Sequence, residues 1–265
     1  MNKYLAGFIG CGNMGGALAE AAARAVGGEN IALYDVDEEK SEALADKIGA
    51  KCLPFDELCA ECRFVFLGVK PNVIKSVLAD MDGHIHLGTV VVSMAAGVSI
   101  SDITWSSECV KVIRIMPNTP AAVGEGMILF CAAGSVTLDD LLDFYEIMEC
   151  AGKLDEIDEK LIDAAAALSG CGPAFVYMFI EALADGAVAC GLPRDKAMSY
   201  AVQTVKGSAE MVEKSEKHPG KLKDEVCSPG GTTIEGVLAL EAGAFRSSVS
   251  KAVISAYEKT AKLKK

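Results

Sequence analysis

Histidine is nearly missing from this chain: 265 residues contain three, His84, His86 and His218. The one Cys-x-x-Cys, Cys59-Ala-Glu-Cys62, has neither a second pair nor a histidine beside it, so no metal site is expected. Basic residues are also in short supply, 25 against 37 acidic ones for a net charge of −12, which repels nucleic-acid phosphates and anionic membranes alike. Small molecules are therefore the expected partners, with no nucleic acid and no membrane. No uninterrupted apolar run approaches the ~20 residues of a membrane span. The longest candidate, "CGPAFVYMFI", ends at Glu181. An export signal is not expected either, because "YLAGFIGC" after Lys3 is short, glycine-interrupted and needed as a first strand. The ten cysteines are scattered through apolar segments (Cys11, Cys131, Cys171 and Cys190 among them), which fits a reducing compartment and a cytoplasmic location.

What the chain does have is apolar material, 51% of its residues, enough for a sizeable core. "LAGFI" (5–9) reads as a strand, followed by a glycine turn and an alanine-rich helix to about Val26. Further strands are expected at 31–35, 64–69, 89–94, 110–115 and 126–131, with helices at about 38–48 and after Pro71. A helix at 137–150 and a short strand near 153–157 close this part. Apolar strands alternating with helices argue for a mostly parallel sheet covered on both faces. After about Asp158 helical periodicity takes over, with helices expected at 159–169, 173–190, 194–214, 231–242 and 245–262. The boundary is placed near residue 160, giving domains 1–160 and 161–265. Several of these last helices are apolar around much of their circumference, more than about a hundred residues can bury alone, so a homodimer or larger assembly is expected.

The turn after the first strand is Gly10-Cys11-Gly12-Asn13-Met14-Gly15, a G-x-G-x-x-G in the strand-turn-helix context that a dinucleotide site requires. Gly10 permits the tight turn, Gly12 lets pyrophosphate approach the backbone, and Gly15 allows close packing of helix on sheet. Asn13 and Met14 open the helix whose N-terminus meets the phosphate. An acidic residue is expected about 20 residues on, and Asp35 stands there at the end of the second strand. Its carboxylate suits an adenosine ribose and repels a 2′-phosphate, so NAD(P)H is the expected cofactor with NADH preferred. Asp37 adds to the repulsion, although Lys40 partly offsets it. Asp35 or Asp37 acting only as a cap for the next helix is the competing reading.

Several segments together closely resemble one family: "VKP" (69–71), "SMAAGVSI" (93–100), "RIMPNTPAAVGEG" (114–126), "LSGCGPAFVYMFIEALADGAV" (168–188) and "HPGKLKDEVCSPGGTTIEGV" (218–237). These are similar to pyrroline-5-carboxylate reductase, the last enzyme of proline biosynthesis. The resemblance implies an α/β Rossmann-type N-terminal domain that binds NAD(P)H and an all-α C-terminal domain for dimerisation and substrate binding, with dimers gathering into a decamer, a ring of five. It implies an active site formed between one subunit's Rossmann domain and the helical layer, helped by the neighbour. Val69, Lys70 and Pro71 would border the cofactor, Ala95, Ala96 and Gly97 would pass along the nicotinamide, and Asn118 and Thr119 would lie near it. The chain departs from the family mainly at Asp35-Val36-Asp37, where many relatives carry residues suited to NADPH.

The resemblance also assigns the loop Ser228 to Thr233 to the substrate, a cyclic imine bearing a carboxylate. Backbone N–H groups of Gly230, Gly231 and Thr232 at a helix N-terminus form an expected carboxylate site. Thr233 Oγ1 would then meet the imine nitrogen as the catalytic group. The alternative is that Thr232 and Thr233 merely cap the helix. Ser169, Gly170, Cys171 and Gly172 could serve either close packing or substrate contact. Two other functions stay open on the residues alone: a β-hydroxyacid-type dehydrogenase using Lys196 or Lys206, and a non-catalytic dinucleotide-binding regulator.

Overall fold

The computed structural model describes residues 3–103 and 111–263. An eight-stranded sheet forms the first half. Its strands are β1 (Tyr4–Ile9), β2 (Ile31–Tyr34), β3 (Lys51–Cys52), β4 (Cys62–Leu67), β5 (Val90–Ser93), β6 (Lys111–Met116), β7 (Gly126–Ala132) and β8 (Gly152–Glu156), in the order β3-β2-β1-β4-β5-β6-β7-β8. Every neighbouring pair is parallel except β6 and β7. The expected start of β6 at Val110 lies outside the described residues.

Alternation along the strands builds two cores. Phe8, Phe64, Phe66, Val92 and Phe130 point to one face, where α1 (Asn13–Val26) and α6 (Leu138–Met148) supply Leu18, Ala22, Phe144 and Ile147. Val65, Leu67, Val91 and Val112 point to the other, against Leu58 of α3 (Phe55–Glu61) and Ile74, Leu78 and Met81 of α4 (Ile74–Met81). Phe8 and Phe66 stack across β1 and β4 with ring centroids 4.5 Å apart. Burying each such side chain contributes roughly 1.5–3 kcal/mol, which makes these two strands the rigid floor of the domain. The chain reverses its winding between β1 and β4, so a crevice opens beyond their carboxyl ends.

The remaining helices are α2 (Glu38–Ile48), α5 (Ile100–Ile103), α7 (Glu159–Ser169), α8 (Gly172–Ala189), α9 (Arg194–Ser215), α10 (Pro219–Val226), α11 (Thr232–Ala242) and α12 (Phe245–Leu263). The chain forms two compact units, Met1–Cys171 with Ala256–Lys265, and Gly172–Ser255. The division falls beyond residue 160 because α7 packs Ile162 into the cluster formed by Leu129 and Cys131 of β7. In the second unit α8 and α9 meet through Ala184, Ala197 and Ala201. Small residues allow that close approach and leave the larger apolar side chains outward. Met178 is 69% exposed and Val226 66%.

Three expectations need correction. The run Glu159–Ala189 is helical almost throughout, and it is long and apolar enough to cross a membrane by length and composition. This overturns the expectation that no run approaches a membrane span, while the helix does end at Ser169 and resume at Gly172, close to the expected bounds, Pro173 standing where a helix start needs no N–H partner. The same rule explains α10, read as punctuation from His-Pro-Gly. Pro219 opens it, and His218 Nδ1 accepts the Gly220 N–H at 3.1 Å. The short β3 and α3 were also absent from the sequence reading, being too brief to show a period.

Candidate active site

At the end of β1 the chain turns through Gly10, whose φ of +98° favours glycine. A Cβ there would lie 2.8 Å from the Gly68 carbonyl oxygen, and one on Gly15 would collide with the Gly10 carbonyl. Gly12 differs, because nothing lies within 4 Å of where its Cβ would stand. The fold packs against two of the three glycines and leaves the third open, which is what a pyrophosphate approaching the backbone needs. Gly12 is the N-cap of α1 and makes no side-chain cap, so the first-turn N–H groups of Asn13, Met14 and Gly15 lack helical partners. A cleft of about 800 Å³ opens in front, lined among others by Gly10, Gly12, Asp35, Val69, Lys70 and Val77. These residues fit a dinucleotide in volume and in donor chemistry.

Asp35 is held from two sides. Its Oδ2 accepts the Cys11 N–H at 2.7 Å and its Oδ1 accepts the Asp37 N–H at 3.0 Å. The capping alternative fails for Asp37, which occupies the N-cap of α2 without closing a cap by its side chain, whereas Asp35 does meet the N–H of that N-cap residue. Lys40 is paired with Asp37 at 2.8 Å. The cation nearest in sequence is therefore already engaged by a carboxylate. Burial and the Asp35 charge push the Cys11 thiol up to about 12, which keeps it neutral beside the glycine turn.

Beyond β4, Pro71 opens a single 3₁₀ turn that follows Val69 and Lys70. Beyond β5, Ala95 is buried with its N–H donating to Ser93 Oγ at 3.3 Å, Ala96 is exposed, and Gly97 adopts φ +77°. Beyond β6, Asn118 and Thr119 begin another 3₁₀ turn. The Asn118 side chain is bound at both ends, with Nδ2 donating to the Ser169 carbonyl at 2.9 Å and Oδ1 accepting the Met127 N–H at 2.9 Å. Its role within this chain is to pin the turn. The Ser169 hydroxyl donates to the Ala165 carbonyl at 3.1 Å, a packing role.

The sequence reading missed Arg114. It sits in the middle of β6, 1% exposed, with Nη2 2.8 Å from Asp163 Oδ1 and Nη1 3.3 Å from Glu159 Oε1. An arginine flanked by Ile113 and Ile115 in the middle of a strand was the available signal, because such a charge requires buried partners.

In the second unit, Gly230 takes φ +66° and the Gly231 N–H donates to the Ser228 carbonyl at 3.0 Å, closing a turn before α11. This corrects one expectation. The Gly231 N–H is engaged in the turn, and the groups without helical partners are those of Thr232, Thr233 and Ile234. The threonines do not cap, since the N-cap is Gly231 and no side-chain hydrogen bond closes it. Lys196 and Lys206 are exposed on α9. Cys59 and Cys62 are free and buried, burial pushes both thiols up to about 12, and no metal-binding cluster occurs among the described residues.

Comparison with known proteins identifies the family. Residues 159–263 match the family model described as pyrroline-5-carboxylate reductase dimerisation, and residues 6–97 match one described as NADP oxidoreductase, coenzyme F420-dependent. The chain is 41% identical to the pyrroline-5-carboxylate reductase of Escherichia coli over 264 residues, 98% of each chain. It is 40% identical to that of Pisum sativum, covering 99% of this chain and 97% of the other. Among solved structures, the Plasmodium falciparum pyrroline carboxylate reductase with NADP bound is 36% identical, with a TM-score of 0.89 and full coverage of both chains. The chain belongs to the pyrroline-5-carboxylate reductase family.

Proposed function

We propose that this chain reduces 1-pyrroline-5-carboxylate to L-proline with NAD(P)H, using NADH in preference to NADPH, as a soluble cytoplasmic enzyme. The observation that carries the cofactor reading is the Asp35 carboxylate. Two backbone N–H groups engage both of its oxygens and favour keeping its charge where a 2′-phosphate would have to lie, and the neighbouring Lys40 is paired with Asp37. The bound reduced dinucleotide supplies the hydride that reaches the imine carbon. Gly10, Gly12, Asn13, Met14 and Gly15 hold its pyrophosphate, and Val69, Lys70, Pro71, Ala95, Ala96, Gly97, Asn118 and Thr119 form the nicotinamide side.

The loop Ser228 to Thr233 binds the substrate. The carboxylate takes the N–H groups at the head of α11, an 11-residue helix whose dipole favours an anion there. Thr233 Oγ1 hydrogen-bonds the imine nitrogen and orients it. The nitrogen takes its proton from solvent, directly or through that hydroxyl, because an iminium is already electrophilic. Catalysis rests chiefly on placing the reacting carbons within near-attack distance. The apolar helix faces of the second unit are covered by a second copy of the chain, and dimers gather into a decamer. The family model for residues 159–263 supports the dimer.

Thr233→Val tests the assignment, since it keeps the side chain's size and the backbone site. Losing one hydrogen bond at the reacting centre should cost about 1–3 kcal/mol, roughly 5- to 150-fold in kcat/KM for the imine, with NADH affinity nearly unchanged. Full turnover with a lowered melting temperature would instead mark Thr233 as structural.

A further inference from the structure

The Arg114 cluster has no part in the chemistry above, yet its geometry reaches the nicotinamide side. Glu159, the first residue of α7, uses one oxygen twice: Oε1 faces Arg114 Nη1 at 3.3 Å and accepts the Ile100 N–H at 2.7 Å. Ile100 opens α5, directly after the Ala95–Gly97 loop and Val98-Ser99. At its other end α7 presents the Ser169 carbonyl to Asn118 Nδ2 at 2.9 Å. One 11-residue helix thus holds the turn after β5 with its head and the turn after β6 with its tail.

A buried ion cluster is a poor choice for stability alone, because well-packed apolar residues commonly serve as well or better. Asp163 already pairs with Arg114 at 2.8 Å and is itself largely buried. Glu159 is a second carboxylate on the same cation, about a third exposed, and what it adds is the hydrogen bond to Ile100. We infer that Glu159 is a positioning residue for hydride transfer, fixing the Ala95–Gly97 loop through Ile100 while Arg114 fixes Glu159. The inference rests on the proposal that this loop borders the nicotinamide. Displacement of a reacting centre by about 1 Å can cost about 10²-fold in rate, so the point where α7 braces this loop through Ile100 is a sensitive place.

Three substitutions at one position separate reach, charge and fold. Glu159→Gln keeps the acceptor for Ile100 and loses the charge, Glu159→Asp keeps the charge and shortens the reach, and Glu159→Ala loses both. The readouts are kcat with 1-pyrroline-5-carboxylate, the isotope effect on kcat with NADH deuterated at the transferring position, equilibrium NADH binding and melting temperature. The alanine and aspartate variants should lose about 10- to 100-fold in kcat with a raised isotope effect and NADH affinity within about twofold, and the glutamine variant should stay within about threefold of the wild type. Wild-type kcat and isotope effect in the alanine variant would overturn the inference, as would a fully active aspartate variant beside an impaired glutamine one. Should the alanine variant not fold, the glutamine and aspartate pair decides alone. Ala96→Leu tests the underlying placement, since it should weaken NADH binding and leave ADP-ribose binding intact. If NADH binding is unchanged there, the placement of the loop falls and the inference with it. If it weakens while the Glu159 series stays fully active, the inference alone falls.

Discussion

At the scale of single residues, the proposed preference for NADH turns on the Asp35 carboxylate. Asp35 Oδ2 accepts the Cys11 N–H, so the group proposed to face the ribose also braces the glycine turn. The expected outcome is a kcat/KM for NADH at least roughly tenfold above that for NADPH, a difference of about 1.4 kcal/mol. Asp35→Ser should narrow or reverse that ratio, and steady-state kinetics with both cofactors measures it. A wild type that strongly prefers NADPH would show that Asp35 does not face the ribose. Much of this site could be read from the sequence, since Gly10, Gly12, Gly15 and Asp35 follow a spacing set by the turn itself. What could not be read was which N–H groups stay free. The Ser228–Gly231 turn takes one away, and only backbone geometry shows it.

At the scale of elements, α6 shows how a helix start is coupled to pH. Thr137 and Asp140 form a capping box, and Asp140 also pairs with Lys111 at 2.6 Å and with Arg63. Burial alone would raise the Asp140 pKa, but hydrogen bonds from Lys111 and Thr137 outweigh it and hold the carboxyl at about 2. A pKa depressed in the folded state stabilises above the unfolded value and loses that contribution as pH falls through the folded one. The contribution, about 2 kcal/mol, is complete above about pH 4 and gone near pH 2. Asp140→Asn should therefore lower stability by about that amount at neutral pH and flatten its fall between those two values, as denaturant melts across pH would report. A parallel fall in both proteins would contradict the assignment. Long elements were legible because hydrophobic periodicity accumulates along them. α2, α7 and α9 fall within a residue of their expected bounds. Short ones such as β3 and α5 carry too few residues for a period, and tertiary packing decides them.

At the scale of the whole molecule, the chain leaves too much apolar surface outward in its second unit to stand alone. Tyr177, Met178, Leu238 and Ile254 are exposed on α8, α11 and α12. The sequence showed that surplus as helices apolar all round, and it could not show which faces α8 and α9 would use on each other. Small residues, Ala184, Ala197 and Ala201, took that contact. The surplus and the match of residues 159–263 to a dimerisation model both support the proposed second copy of the chain. The central claim is the reaction, and the most direct measurement follows NADH oxidation by the purified chain on addition of 1-pyrroline-5-carboxylate, with L-proline quantified at the end. The account predicts turnover that requires the imine and yields one proline for each NADH consumed. NADH binding without imine-dependent oxidation of either NADH or NADPH would contradict it.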